Sequence, residues 1–218
     1  AQNFRITDEH LGEGSAKTKF GYNIAAIQTL KQIEAEGRQA RPDEQEILSR
    51  YVGWGGIPQA FDEENTQWSE EYRQLKELLT EKEYDAARSS TLNAHYTSPT
   101  VIRAMYDAIE KMGFRTGNVL EPSCGVGNFF GMLPDDMSGS RLYGVELDSI
   151  TGRIARQLYP DARITISGFE KTQRRDFFDL AIGNVPFGGY KVSDKQFDKY
   201  NFLIHDYFFA NTIFLLKT

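Results

Sequence analysis

The chain has 218 residues, 40% of them hydrophobic and 26% charged, which is the composition of a globular protein and excludes low-complexity and collagen-like classes. A single cysteine excludes an internal disulfide framework, and with no apolar run of membrane-span length and no signal peptide the expected compartment is the reducing cytoplasm. The formal charge of −6 argues against holding nucleic acid by charge alone, and three scattered histidines argue against a structural zinc site.

Residues 1–92 read as a helical region. Ile24, Ile27, Leu30 and Ile33 recur at helical spacing up to Gly37. Pro42, Asp43 and Glu44 make a good first turn for a second helix. YVGWGGIPQAF (51–61) then breaks the pattern as a glycine-rich loop, in which Trp54 reads as part of a packed turn. Tyr72, Leu75, Leu78 and Leu79 mark a third helix, and Thr80 with Glu83 forms a capping box for a fourth.

From residue 93 the texture changes. Ser98 and Pro99 start a helix that Gly113 stops. Four short apolar segments follow: NVLE (118–121), RLYGVEL (141–147), ARITIS (162–167) and FFDLAIG (177–183). A helix carrying Ile150, Ile154 and Leu158 separates the second from the third. Strands alternating with helices predict a parallel sheet with right-handed crossovers. Ligands in such sheets sit beyond the carboxyl ends of the strands.

Each strand end carries unusual chemistry. EPSCGVGNFFG (121–131) has Gly125 and Gly127, which permit a tight turn and close backbone approach to a nucleotide-like cofactor. A dinucleotide fingerprint needs a further glycine where Phe130 stands. Glu146 ends the second segment, where an acid grips a ribose hydroxyl pair, and Asp148 reads as a helix cap. After the third segment, Phe169 is a candidate to lie against an adenine ring and Glu170 to accept from its amino group; a surface turn is the competing reading. The fourth segment ends in Asn184, Val185, Pro186 and Phe187, either an ordinary turn or a clamp for a flat, hydrogen-bonding ligand such as a base.

EPSCGVGNF, YGVELD and GNVPFG, in this order, resemble the adenine-specific, amino-group DNA methyltransferases that use S-adenosylmethionine. HYTSPTVIRAMYDAI (95–109) looks like that family's cofactor motif when it precedes the sheet. The whole chain also resembles the methylase portion of very large mobile-element proteins that join a methylase to a helicase. The resemblance covers about residues 93–218. It implies a Rossmann-like methyltransferase sheet behind the helical region, with S-adenosylmethionine as cofactor and a flipped adenine of DNA as substrate. It implies Tyr96 and Thr97 along the methionine end, and Glu121, Pro122, Gly125 and Gly127 as the first motif. Glu146 would hold the ribose, and Phe169 or Glu170 would meet the cofactor adenine. Asn184, Val185, Pro186 and Phe187 would be the catalytic turn.

There are two departures from the family pattern. Position 185 is Val where the family has Pro, and the chain stops where a Pro-Gly turn and a fifth strand are expected. The sheet is therefore expected to lack its later strands, and the chain is expected to be a piece of a longer protein. Two other readings stay open: a non-catalytic cofactor- or DNA-binding module, and a methyltransferase acting on RNA or a protein glutamine.

Overall fold

The computed structural model describes residues 2–93 and 95–218. Four helices come first: α1 (Ala16–Ala35), α2 (Pro42–Ser49), α3 (Ser69–Leu78) and α4 (Glu81–Ser90). Their starts follow local chemistry. Ser15 accepts from the Thr18 amide at α1, and Thr80 and Glu83 form the reciprocal capping box of α4. Such a cap contributes about 1 kcal/mol by satisfying amides that have no partner within the helix. Trp54 is the packed turn expected, 1% exposed, with Phe20, Tyr51 and Phe61 edge-on around it. Buried Asn23 clamps this turn: its Nδ2 donates to Gly53 O, and its Oδ1 accepts from Val52 N at 2.9 Å.

α5 (Pro99–Lys111) leads into β1 (Asn118–Glu121), α6 (Asn128–Gly131), β2 (Arg141–Glu146), α7 (Ser149–Leu158), β3 (Arg163–Ile166), β4 (Leu180–Ala181) and α8 (Ile204–Leu215). The strands form one parallel sheet in the order β3-β2-β1-β4. The fold class is thus α/β with a helical N-terminal region, as expected. The order reverses between β1 and β4, so the crevice beyond their carboxyl ends is the switch point where doubly wound sheets bind ligands.

Alternation along the strands sends side chains to two hydrophobic clusters. Val119, Leu142 and Ile164 join the cluster that includes α7, α5 and the N-terminal helices; Leu120, Tyr143 and Val145 join the one built on α8. α7 buries Ile150, Ile154 and Leu158 on one face, each contributing about 1.5–3 kcal/mol. The first cluster runs without a break from Phe20 to Ile182, so the helical region and the sheet share one core. Polar contacts reinforce that junction. Arg153 of α7 pairs with Glu34 of α1 at 2.7 Å and with Glu83 of α4 at 3.2 Å. Gln157 accepts from the Ala40 amide at 2.8 Å.

One expectation changes. The fourth segment was expected as a strand over 177–183, but only Leu180 and Ala181 form a regular ladder with β1. Phe177 and Phe178 instead donate to Leu215 O, so the chain turns its hydrogen bonds to the opposite neighbour there. The edge beyond β4 is not bare either: Leu216 pairs in parallel with Phe178, and Lys217 N donates to Phe178 O at 2.9 Å. This is an isolated bridge and not a strand, so among the described residues the sheet has four strands, as expected.

Candidate active site

The loop after β1 turns on two glycines. Gly125 has φ +56° and Gly127 φ +88°, in the left-handed region that side chains disfavour. Space enforces the same choice. A Cβ on Gly125 would meet the Tyr96 ring at 3.3 Å, and one on Gly127 would meet the Tyr159 ring at 2.6 Å. Tyr96 thus lies over the glycine turn, which joins the segment before α5 to the loop after β1.

Glu146, at the end of β2, holds the loop's shape. Its Oε2 accepts from Gly125 N at 2.8 Å and its Oε1 from Asp148 N at 3.0 Å. Burial pushes its pKa up to about 7, against the pull of those two backbone amides. Asp148 caps α7 through Thr151 N, as expected. Glu121 is 2% exposed, and its Oε2 has no hydrogen-bond partner among the described residues. Burial, with the neighbouring Glu146 charge, raises its carboxyl pKa well above the usual range. Cys124 is buried and its thiol is likewise pushed up, which suits packing and not nucleophilic attack.

The turn after β4 meets this loop directly. A Cβ on Gly183 would lie 3.1 Å from Glu121 Cγ and 3.7 Å from Pro122 Cδ. Asn184 follows and is exposed; Val185 packs against the α8 cluster; Pro186 is partly buried; Phe187 is 62% exposed. The packing of Val185 accounts for a branched side chain at a position where rigidity alone would favour proline. Thr97 is partly buried beside Tyr96 in sequence, ahead of the Ser98 cap of α5.

The third strand end departs from expectation. Phe169 does not offer a face to a cofactor adenine: it is 3% exposed, with its ring on Phe208 at a centroid distance of 4.8 Å and Tyr207 edge-on. The apolar face of α8 takes it into the second cluster. Glu170 turns the same way and lines a cleft with Thr172, Arg175 and Asn211.

One neighbour was not foreseen. Tyr51, from the loop after α2, stands by Thr151 and Asp148, and burial together with the neighbouring Tyr51 hydroxyl raises the Tyr96 pKa well above its usual value. Its sequence signal was slight, an aromatic at the start of a glycine turn. The N-terminal region therefore walls the glycine-loop side of the site.

No protein-family model matches the chain. Defense against restriction protein B of Escherichia phage P1 is 28% identical over 180 residues, covering 81% of this chain and 6% of that protein. The type II methyltransferase M.CvrRI of Paramecium bursaria Chlorella virus XZ-6E is 35% identical over 79 residues, covering 36% of this chain and 21% of that enzyme. The chain thus spans a small part of both curated relatives. Among solved structures, a class I S-adenosylmethionine-dependent methyltransferase-type protein of Listeria monocytogenes aligns over 92% of this chain and 71% of its own, at 14% identity and TM-score 0.47. A TehB-like S-adenosylmethionine-dependent methyltransferase of Corynebacterium glutamicum aligns over 39% and 51%, at 27% identity and TM-score 0.30.

Proposed function

We propose that the chain carries an S-adenosylmethionine-dependent methyltransferase site acting on the exocyclic amino group of adenine in DNA. One observation carries this reading: the glycine loop with Glu146 and the Asn184–Phe187 turn meet at the sheet's switch point, through Gly183 against Glu121. The stretch matched to the viral DNA methyltransferase adds support.

The residues fit the cofactor. A loop that leaves no room for Cβ atoms lets backbone approach a ligand closely, and the unpartnered buried oxygen of Glu121 awaits a donor. Tyr96, Thr97, Glu121, Pro122, Gly125 and Gly127 would hold the methionine end, and Glu146 the ribose. When bound, S-adenosylmethionine supplies an electrophilic methyl group. The chain's own part is positioning. An adenine amino nitrogen shares its lone pair with the ring. Asn184 Oδ1 and the Val185 carbonyl, both acceptors, would draw on its two N–H bonds and free that pair. Phe187 would stack on a base turned out of the duplex. No covalent nucleophile is needed, in keeping with the buried Cys124.

The acidic surplus does not oppose this substrate. Residues 1–92 carry all of the −6, and residues 93–218 balance. The reading includes work in the cytoplasm as part of a longer protein, with residues 93–218 as the catalytic part. Titration calorimetry with S-adenosylmethionine tests the cofactor site; binding that weakens sharply in Glu146→Ala supports it. Competition among labelled DNA, RNA and peptide acceptors then tests the substrate. Preference for RNA or for a glutamine peptide would replace adenine in DNA, and no transfer to any acceptor would leave a binding module.

A further inference from the structure

Phe187 does not stand alone. Its ring lies on the imidazole of His205, in the first turn of α8, with centroids 5.3 Å apart and planes 24° from parallel. That is offset stacking. Phe187 nonetheless remains 62% exposed, so one face is supported and the other is open.

His205 has little else to fix it. Its Nδ1 is buried with no hydrogen-bond partner among the described residues, and its Nε2 is 3.8 Å from Asp206 Oδ2, beyond hydrogen-bond reach. Buried ring nitrogens are ordinarily bonded, so here the contact with the Phe187 ring, and not a hydrogen bond among the described residues, orients the imidazole. The two elements are also tied through the backbone: Ile204 N donates to Tyr190 O at 3.0 Å, and Ile204 is buried in the second cluster. The loop after β4 and the start of α8 are thus held together on both sides of the Phe187–His205 stack.

We infer that His205 is a positioning residue for the target base: it holds Phe187 in the plane that the base must meet, giving a three-layer stack of base, Phe187 and His205. This rests on the proposed base site. The physical gain is preorganisation, because an exposed phenylalanine otherwise loses rotamer freedom when a base stacks on it. An aliphatic side chain of similar size would fill the space without setting the plane.

The test is fluorescence titration of a single-stranded oligodeoxyadenylate with one central 2-aminopurine, in the presence of S-adenosylmethionine. Stacking on the flanking adenines quenches the free probe, so wild type should bind and brighten it, and Phe187→Ala should not. His205→Ala and His205→Leu should each weaken binding about tenfold, and His205→Phe should return it to within about twofold of wild type. Unchanged S-adenosylmethionine affinity and thermal midpoint in His205→Leu and His205→Phe show that folding is intact. If His205→Leu binds like His205→Phe, the residue is a filler and the inference is overturned; wild-type binding by His205→Ala overturns it too. If wild type fails to brighten the probe, or Phe187→Ala brightens it equally, the base-site reading itself fails, and the inference with it.

Discussion

The two halves of the site are built differently. On the glycine-loop side, Glu146 is partly buried and takes two backbone hydrogen bonds, Tyr96 covers Gly125, and Tyr159 backs Gly127. On the other side, Asn184 and Phe187 stand exposed, with one stacked histidine as their visible support. A pocket for a small, invariant ligand gains from being prebuilt, because binding then orders little. A turn that must admit a base from a polymer has to stay open. Substitutions on the first side should therefore cost folding and cofactor together, and substitutions on the second should cost transfer alone.

The sharpest way to break this contrast is Gly127→Val. A left-handed φ and a Tyr159 ring 2.6 Å from the new Cβ should destabilise the chain by about 2–5 kcal/mol and abolish S-adenosylmethionine binding, read by denaturant melts and calorimetry. On the open side, Asn184→Ala should leave stability within about 0.5 kcal/mol of wild type and lower methyl transfer by about a hundredfold or more. If Asn184→Ala also lost cofactor affinity or melted early, the two sides would not be separable.

A third substitution asks whether the N-terminal helices belong to the prebuilt half. Arg153→Ala removes the pairs with Glu34 and Glu83 and leaves two partly buried carboxylates short of a partner. Glu83 keeps Lys31 at 2.8 Å, so the expected cost is modest, about 1–2 kcal/mol. A melt in two stages would show that the shared core does not couple the regions.

The gentlest probe is pH. Folding raises the Glu146 pKa from 4.5 to about 7, so the folded chain keeps a proton that the unfolded chain gives up. That contribution to stability is complete below pH 4.5 and is lost as pH rises through about 7. The ligand-free chain should therefore weaken across that window, and Glu146→Gln should flatten the slope. Cofactor affinity should run the other way, rising several-fold, because only the ionised carboxylate offers all its lone pairs to ribose hydroxyls.

Much of this was legible in the sequence, for reasons tied to particular residues. Ser98, Thr80 and Asp148 announce helix starts because capping is local chemistry. NVLE, RLYGVEL and ARITIS announce strands because short apolar runs between turns and helices are local signals too. The glycine loop and the acid at the end of β2 were readable because backbone geometry restricts which residues fit. The misses were tertiary. Nothing within ISGFEKT says that Phe208 claims the Phe169 ring, since the two are far apart in sequence. Nor does NVPFGG contain His205, which arrives from the next helix. The fourth strand is short because Phe178 turns to Leu216, a partner 38 residues on.

The central claim is that the glycine loop and the NVPF turn form one site for methyl transfer to adenine. Its most direct test is incubation with DNA and methyl-labelled S-adenosylmethionine, followed by digestion to nucleosides and chromatography. The account predicts label in N6-methyldeoxyadenosine, lost in Asn184→Ala. Label in a cytosine product, or equal labelling by Asn184→Ala, would contradict it.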